Sequence, residues 1–141
     1  MKRAKYFPVH ELVPPAYYQK YGDYAHRYLD DRLLIVLDAL RKRYGPITVN
    51  NYQYGGDRTE SGLRIPGQDY YRPTSQHSHG RAADGLLKNL TAEEVRNDLQ
   101  DFGLSILHLP AGVDSITIEN KVSWLHVDVR NNNPGVNFFD P

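Results

Sequence analysis

Apolar residues recur at helical spacing in one long stretch of the chain. Leu29, Leu33, Val36, Leu37, Leu40 and Tyr44 follow one another mostly at steps of three and four. This puts them on one face of a helix predicted from about Asp23 to Tyr44. Arg41, Lys42 and Arg43 fill its last turn, where cations favour the negative end of the helix dipole. Gly45-Pro46 then stops it. A second helix is announced by Thr91-Ala92-Glu93-Glu94. Thr91 caps the first turn while Glu94 reaches back to the Thr91 backbone, and Leu90 and Val95 form the accompanying apolar staple. This helix is predicted to run to about Phe102 and to end at Gly103.

Strand patterning is shorter and more scattered. Ile47 to Tyr52 and residues 81 to 87 read as strands, and Leu104 to Leu109 as another, closed by Pro110 and Gly112. Ser115 to Glu119 and Val122 to Arg130 form an expected antiparallel pair, with Asn120-Lys121 as the turn. Along the last strand Leu125, Val127 and Val129 share one face; Trp124, His126, Asp128 and Arg130 share the other. Residues 1 to 13, residues 53 to 74 and the tail from Asn131 carry Gly, Pro and Asn without periodicity and are expected to be irregular. The loop over 53 to 74 is long for a small domain, and such loops often carry function. The fold class is α+β: helices packed on one side of a mainly antiparallel sheet, in a single domain spanning residues 1–141.

Composition narrows the chemistry. The chain has 141 residues, no cysteine, and 17 basic against 17 acidic side chains. Disulfides and thiolate metal sites are therefore excluded, and a bound metal has to be held by His, Asp or Glu. Balanced charge gives no footprint for nucleic acid or an anionic membrane. The longest apolar run, Leu33 to Leu37, is far too short to span a bilayer. Lys2, Arg3 and Lys5 are followed by no apolar segment, so no secretory signal is expected. The 11 tyrosines supply apolar area with a polar tip, suited to core, rim or groove.

One segment concentrates metal-type ligands. In Ser75-Gln76-His77-Ser78-His79-Gly80-Arg81-Ala82-Ala83-Asp84, His77 and Asp84 stand seven residues apart. Gly80, Ala82 and Ala83 between them permit close backbone approach. His126 adds a third ligand from the polar face of the last strand. Two histidines and a carboxylate leave a tetrahedral zinc one open position, the pattern of a catalytic rather than a structural site. His10, His26 and His108 have no such partners and are expected to be ordinary surface or partly buried residues. Asp57, Arg58 and Glu60 are expected to be solvated loop charges, and Arg81 an exposed strand residue.

Ser75-x-His77-x-x-Gly80-x-Ala82-x-Asp84 followed by His126-x-Asp128 resembles the zinc D-alanyl-D-alanine carboxypeptidase family, which is related to hedgehog domains and includes phage lysis endopeptidases. The resemblance runs from the early helix to Arg130. It implies a hedgehog/D-Ala-D-Ala peptidase-like fold, zinc held by His77, Asp84 and His126, and hydrolysis of peptide bonds in peptidoglycan stems and cross-bridges. Ser61-Gly62-Leu63-Arg64 resembles the segment that precedes the zinc motif in that family. There the arginine meets the substrate carboxylate or carbonyl; a guanidinium can hold a carboxylate bidentately. A salt bridge within the loop is the other role open to Arg64.

One departure from the family concerns the general base. Members carry Glu or Asp three residues before the last ligand histidine, or His two residues before it; here Ser123 and Trp124 stand there. Asp128 shares a strand face with His126, either as the base or as the carboxylate that orients His126. Glu119 and His79 are further candidates. Ser75 and Trp124 are expected at the substrate groove, Trp124 otherwise serving as a lid on the sheet. The expected activity is a zinc metallopeptidase, carboxypeptidase or endopeptidase, of phage or prophage origin. It is expected to be a monomer without nucleic-acid or membrane partners, made in the cytoplasm and acting at the wall after release or within a virion. The alternative is a catalytically inactive zinc-binding module of the same fold.

Overall fold

The computed structural model describes residues 3–141. Helices α1 (Pro15–Tyr21), α2 (Asp31–Tyr44) and α3 (Ala92–Phe102) accompany strands β1 (Ile47–Thr48), β2 (Ala82–Leu87), β3 (Ser115–Glu119), β4 (Leu125–Asp128) and β5 (Gly135–Phe139). The strands form one sheet in the order β1-β2-β4-β3-β5. All neighbours are antiparallel except β3 and β5, which run parallel. The class is α+β, as the periodicities predict.

Alternation divides the sheet into two chemically different faces. Ala83, Ile116, Ile118, Leu125 and Val127 point into a core that also takes Leu33, Leu34, Val36, Leu37 and Leu40 of α2, and Val95 and Leu99 of α3. Asp84, Thr117, His126 and Asp128 belong to the opposite parity. The register aligns Asp84 with His126 across β2 and β4, and Thr117 with Asp128 across β4 and β3. Polar groups on the second face are thus gathered by backbone pairing alone.

Helix α3 matches its sequence signals: Thr91 Oγ1 accepts the Glu94 amide at 3.1 Å, and the Glu94 carboxylate accepts the Thr91 amide at 3.3 Å. Helix α2 is shorter than predicted. Asp30 is its N-cap, accepting from the Arg32 amide at 2.9 Å, and an Asp cap ends the helix there. The Asp30 amide donates to Gly80 O at 2.9 Å, tying the start of α2 to the metal-motif segment. Residues Gly22–Tyr28 upstream form a 3-10 helix instead.

Other elements depart from the expectations. Pro15–Tyr21, for which no element was predicted, is helical, because proline at the first position loses no helical hydrogen bond. The strand expected from Ile47 to Tyr52 pairs only over Ile47–Thr48. The Asn50 side chain is engaged in other contacts, holding Val13 O and the Ser61 amide. Leu104–Leu107 is a 3-10 helix; a short apolar run has no period that distinguishes strand from buried helix. The tail is ordered as β5, because β3 offers it a free edge from Ser115 to Glu119. The turn between β3 and β4 is also wider than two residues. Arg96 of α3 enters it, donating to Glu119 O at 3.4 Å and Val122 O at 3.0 Å.

Gly80 combines a left-handed backbone with a close backbone approach. Its φ is +67°, and a Cβ would run into the Tyr28 carbonyl oxygen. Gly80→Ala combines left-handed strain with a backbone clash, and should lower unfolding free energy by about 2–4 kcal/mol. Denaturant titration checks this; an unchanged midpoint would contradict the tight packing of this turn against residues 28 and 29.

Candidate metal centre

Each ligand candidate is delivered by a different element. Ser75 caps the 3-10 turn Gln76–His79, its Oγ accepting from the His77 amide at 3.2 Å, and this turn aims His77 inward. Asp84 sits mid-strand in β2, and His126 opposite it in β4. His77 and His126 are buried and Asp84 nearly so. One ligand atom from each can be chosen so that all lie within 4.8 Å of one another.

The hydrogen bonds behind the rings determine which nitrogens face the centre. His77 Nδ1 donates to Gly62 O at 2.9 Å, which turns Nε2 toward Asp84 Oδ2 at 3.4 Å. A proton on Nε2 or a metal cation between the two atoms satisfies that contact. Gly62 serves this geometry by lacking a side chain: a Cβ would run into the Leu12 carbonyl oxygen. The His126 ring has carboxylates at both nitrogens, Nδ1 to Asp84 Oδ1 at 2.8 Å and Nε2 to Asp128 Oδ2 at 2.9 Å. With no metal, both nitrogens must donate. Burial opposes that charge, but the bonds to Asp128 and Asp84 outweigh it and push His126 up to about 9. Burial likewise resists ionisation of Asp84, and His126 and His77 override it, holding the carboxyl well below the usual range.

This donor set fits a metal ion. A divalent cation would replace the proton on His126 Nδ1 and screen the His77–Asp84 contact, using residues already in place. Asp128 would remain behind His126, the arrangement in which a carboxylate orients a ligand imidazole. Asp128 is fully buried, and both its oxygens are engaged by Arg130 as well.

The remaining site candidates divide clearly. Arg64 donates to Glu60 O at 2.7 Å and to Asp84 Oδ2 at 3.2 Å, so its ion pair is with Asp84 of β2 rather than within the loop, and the residue still lines the groove. Trp124 is 37% exposed. With Arg64 and Asp84 it lines two depressions: one of about 460 Å³ beside Asp57, Glu60 and Tyr70, the other of about 380 Å³ beside Ser75, His77, Glu119, His126 and Phe139. His79 does not join the centre; it is exposed and its Nε2 bonds Pro73 O at 3.0 Å. A larger depression, about 510 Å³, lies between the N-terminal segment, α2 and Leu107–Pro110, away from the metal-type cluster.

Several contributors had no sequence signal. Arg58 is not a solvated charge: it donates to Val49 O at 3.0 Å and to Asp84 O at 3.2 Å, bracing the back of β2. Glu60 accepts from the Tyr70 amide at 2.9 Å. Phe139, from the tail expected to be irregular, packs edge-on against His126 with ring centres 5.6 Å apart. The Gly62 carbonyl could have been suspected only from its place in the Ser-Gly-x-Arg segment.

Comparison with known protein families, curated proteins and solved structures finds no match to this chain.

Because His126 keeps its second proton until the pH passes about 9, metal uptake near neutral pH should release about one proton. Apparent affinity should rise with pH up to that value. The same raised value means that this ring's contribution to the metal-free fold is present below the ordinary histidine range and is lost as pH climbs through about 9. Calorimetry of zinc binding in buffers of different ionisation enthalpy reads the proton count; equal heats would show that the ring was already neutral.

Proposed function

We propose that the chain is a zinc metallopeptidase of the D-alanyl-D-alanine carboxypeptidase and hedgehog type, hydrolysing peptide bonds of bacterial peptidoglycan. The observation that carries this reading is the convergence of His77 Nε2, Asp84 and His126 Nδ1 on one open depression, which shares Arg64, Asp84 and Trp124 with a second. Each imidazole is oriented from behind by a different acceptor, Gly62 O or Asp128. Structural zinc sites are closed by a fourth protein ligand, whereas a triad opening onto a groove leaves room for water and substrate.

When bound, zinc supplies an acidified water and a polarised carbonyl. The chain's own residues do the rest. Arg64, which lines both depressions, offers its guanidinium to a substrate carbonyl or carboxylate. Trp124 and Ser75 border the path of the peptide. Asp128 keeps His126 in the tautomer that presents Nδ1. The two depressions that share Arg64, Asp84 and Trp124 offer room for residues before and after the scissile bond, which favours cleavage within a cross-linked peptide over removal of a terminal residue. The source is read as phage or prophage, with action at the wall after release or as part of a virion.

Purified peptidoglycan incubated with the zinc-loaded protein should yield new muropeptides by mass spectrometry. A chelator should remove them and zinc restore them. His126→Ala should reduce the rate by about 1,000-fold or more, the scale of several kcal/mol of metal-derived stabilisation. A folded, zinc-loaded protein that cuts no muropeptide would instead be a zinc-bearing binding module.

A further inference from the structure

Peptide hydrolysis requires a group that takes a proton from the attacking water, and neither Ser123 nor Trp124 can. The sheet supplies one from another strand. Thr117 pairs with Asp128 and Ile118 with Val127. One more step of that register sets Glu119 across from His126, on the same face. Asp84 already flanks His126 from the other side, and Phe139 stands beside Glu119 in the parallel pair. Asp84, His126, Glu119 and Phe139 thus form a row across four strands.

Within that row Glu119 Oε2 lies 3.8 Å from His126 Nδ1, the nitrogen that faces the metal position rather than the one held by Asp128. Its side chain is 17% exposed and lines the depression beside His77, Asp84 and His126. It lies outside the compact ligand set, so it borders the centre without completing it. Its backbone is anchored, because Glu119 O accepts from the buried Arg96 and the Asn120 amide bonds Phe139 O at 2.8 Å. Asp128 is poorly placed to accept that proton, since it is enclosed behind the ring and paired with Arg130 on both oxygens.

We propose that Glu119 is the proton acceptor of the reaction, doing from β3 what the expected positions before His126 do not. This rests on the peptidase reading above. One proton of the water passes to the Glu119 carboxylate as the water oxygen bonds to the carbonyl carbon. It is then delivered to the departing nitrogen as the carbon–nitrogen bond breaks, leaving a carboxylic acid and an amine with no other reactant needed.

The test compares Glu119→Gln and Asp128→Asn with the wild-type chain, reading zinc affinity by competition with a chromophoric chelator and turnover on a purified cross-linked muropeptide. Glu119→Gln should bind one zinc within about threefold of wild-type affinity, while turnover falls by about 100-fold or more. Asp128→Asn should show the converse emphasis, with zinc affinity reduced by about 10–100-fold. Turnover of Glu119→Gln within about tenfold of wild type would overturn the assignment and leave the peptidase reading standing. Loss of zinc affinity by Glu119→Gln matching that of Asp128→Asn would make Glu119 a metal ligand instead. Absence of turnover by the zinc-loaded wild type would overturn both.

Discussion

The structure depends on holding His126 between two carboxylates on the polar face of its sheet. Asp84 reaches one ring nitrogen and Asp128 the other, and all three side chains are largely withdrawn from water. Burying unpaired charge would cost several kcal/mol per group, so every member has a partner. Arg64 meets Asp84 and Arg130 meets Asp128. The guanidiniums offset the carboxylates, and the imidazole adds a positive charge that a metal can replace.

That arrangement explains features that otherwise look unrelated. Gly62 must pass close to Leu12 so that its carbonyl reaches His77, and Gly80 must turn left-handed against Tyr28 so that His77 and β2 leave the same turn. Arg58 ties β2 to Val49 through the Asp84 carbonyl. Arg96 ties α3 to the turn after Glu119. The core behind the sheet is apolar and continuous, so β2 and β4 have a firm base on which to hold polar groups to within a hydrogen bond. Rigid strands suit a site whose ligands must meet within a few tenths of an ångström.

The proposed chemistry divides labour between two carboxylates near His126, of which the sequence favoured Asp128 and placed Glu119 behind it. Asp128 is two residues away and sits behind the ring at Nε2; Glu119 is seven residues away and stands beside Nδ1. Proximity along the chain favoured the first, and strand pairing favours the second. Phe139 follows the same logic, since only the parallel pairing of β5 with β3 brings the tail to the site.

Much of this was legible in the residues alone. The alternation from Trp124 to Arg130 assigned His126 and Asp128 to one face, and helical spacing with caps located α3 and the end of α2, because these signals depend on local periodicity and backbone satisfaction. The metal-type ligands His77, Asp84 and His126 were legible as residue types that bind metals in a spaced motif. Of the strand pairings only that of β3 with β4 was legible, and its register was not. Which strand lies beside which, and in what register, is a long-range choice that a short apolar run such as Leu104–Leu109 or an Asn-rich tail does not encode. The sequence by itself therefore determined the ligand chemistry and the polar strand face. Only the tertiary structure decided that Asp84, His126, Glu119 and Phe139 form one row, since a strand's neighbours are selected by the packing of the whole core.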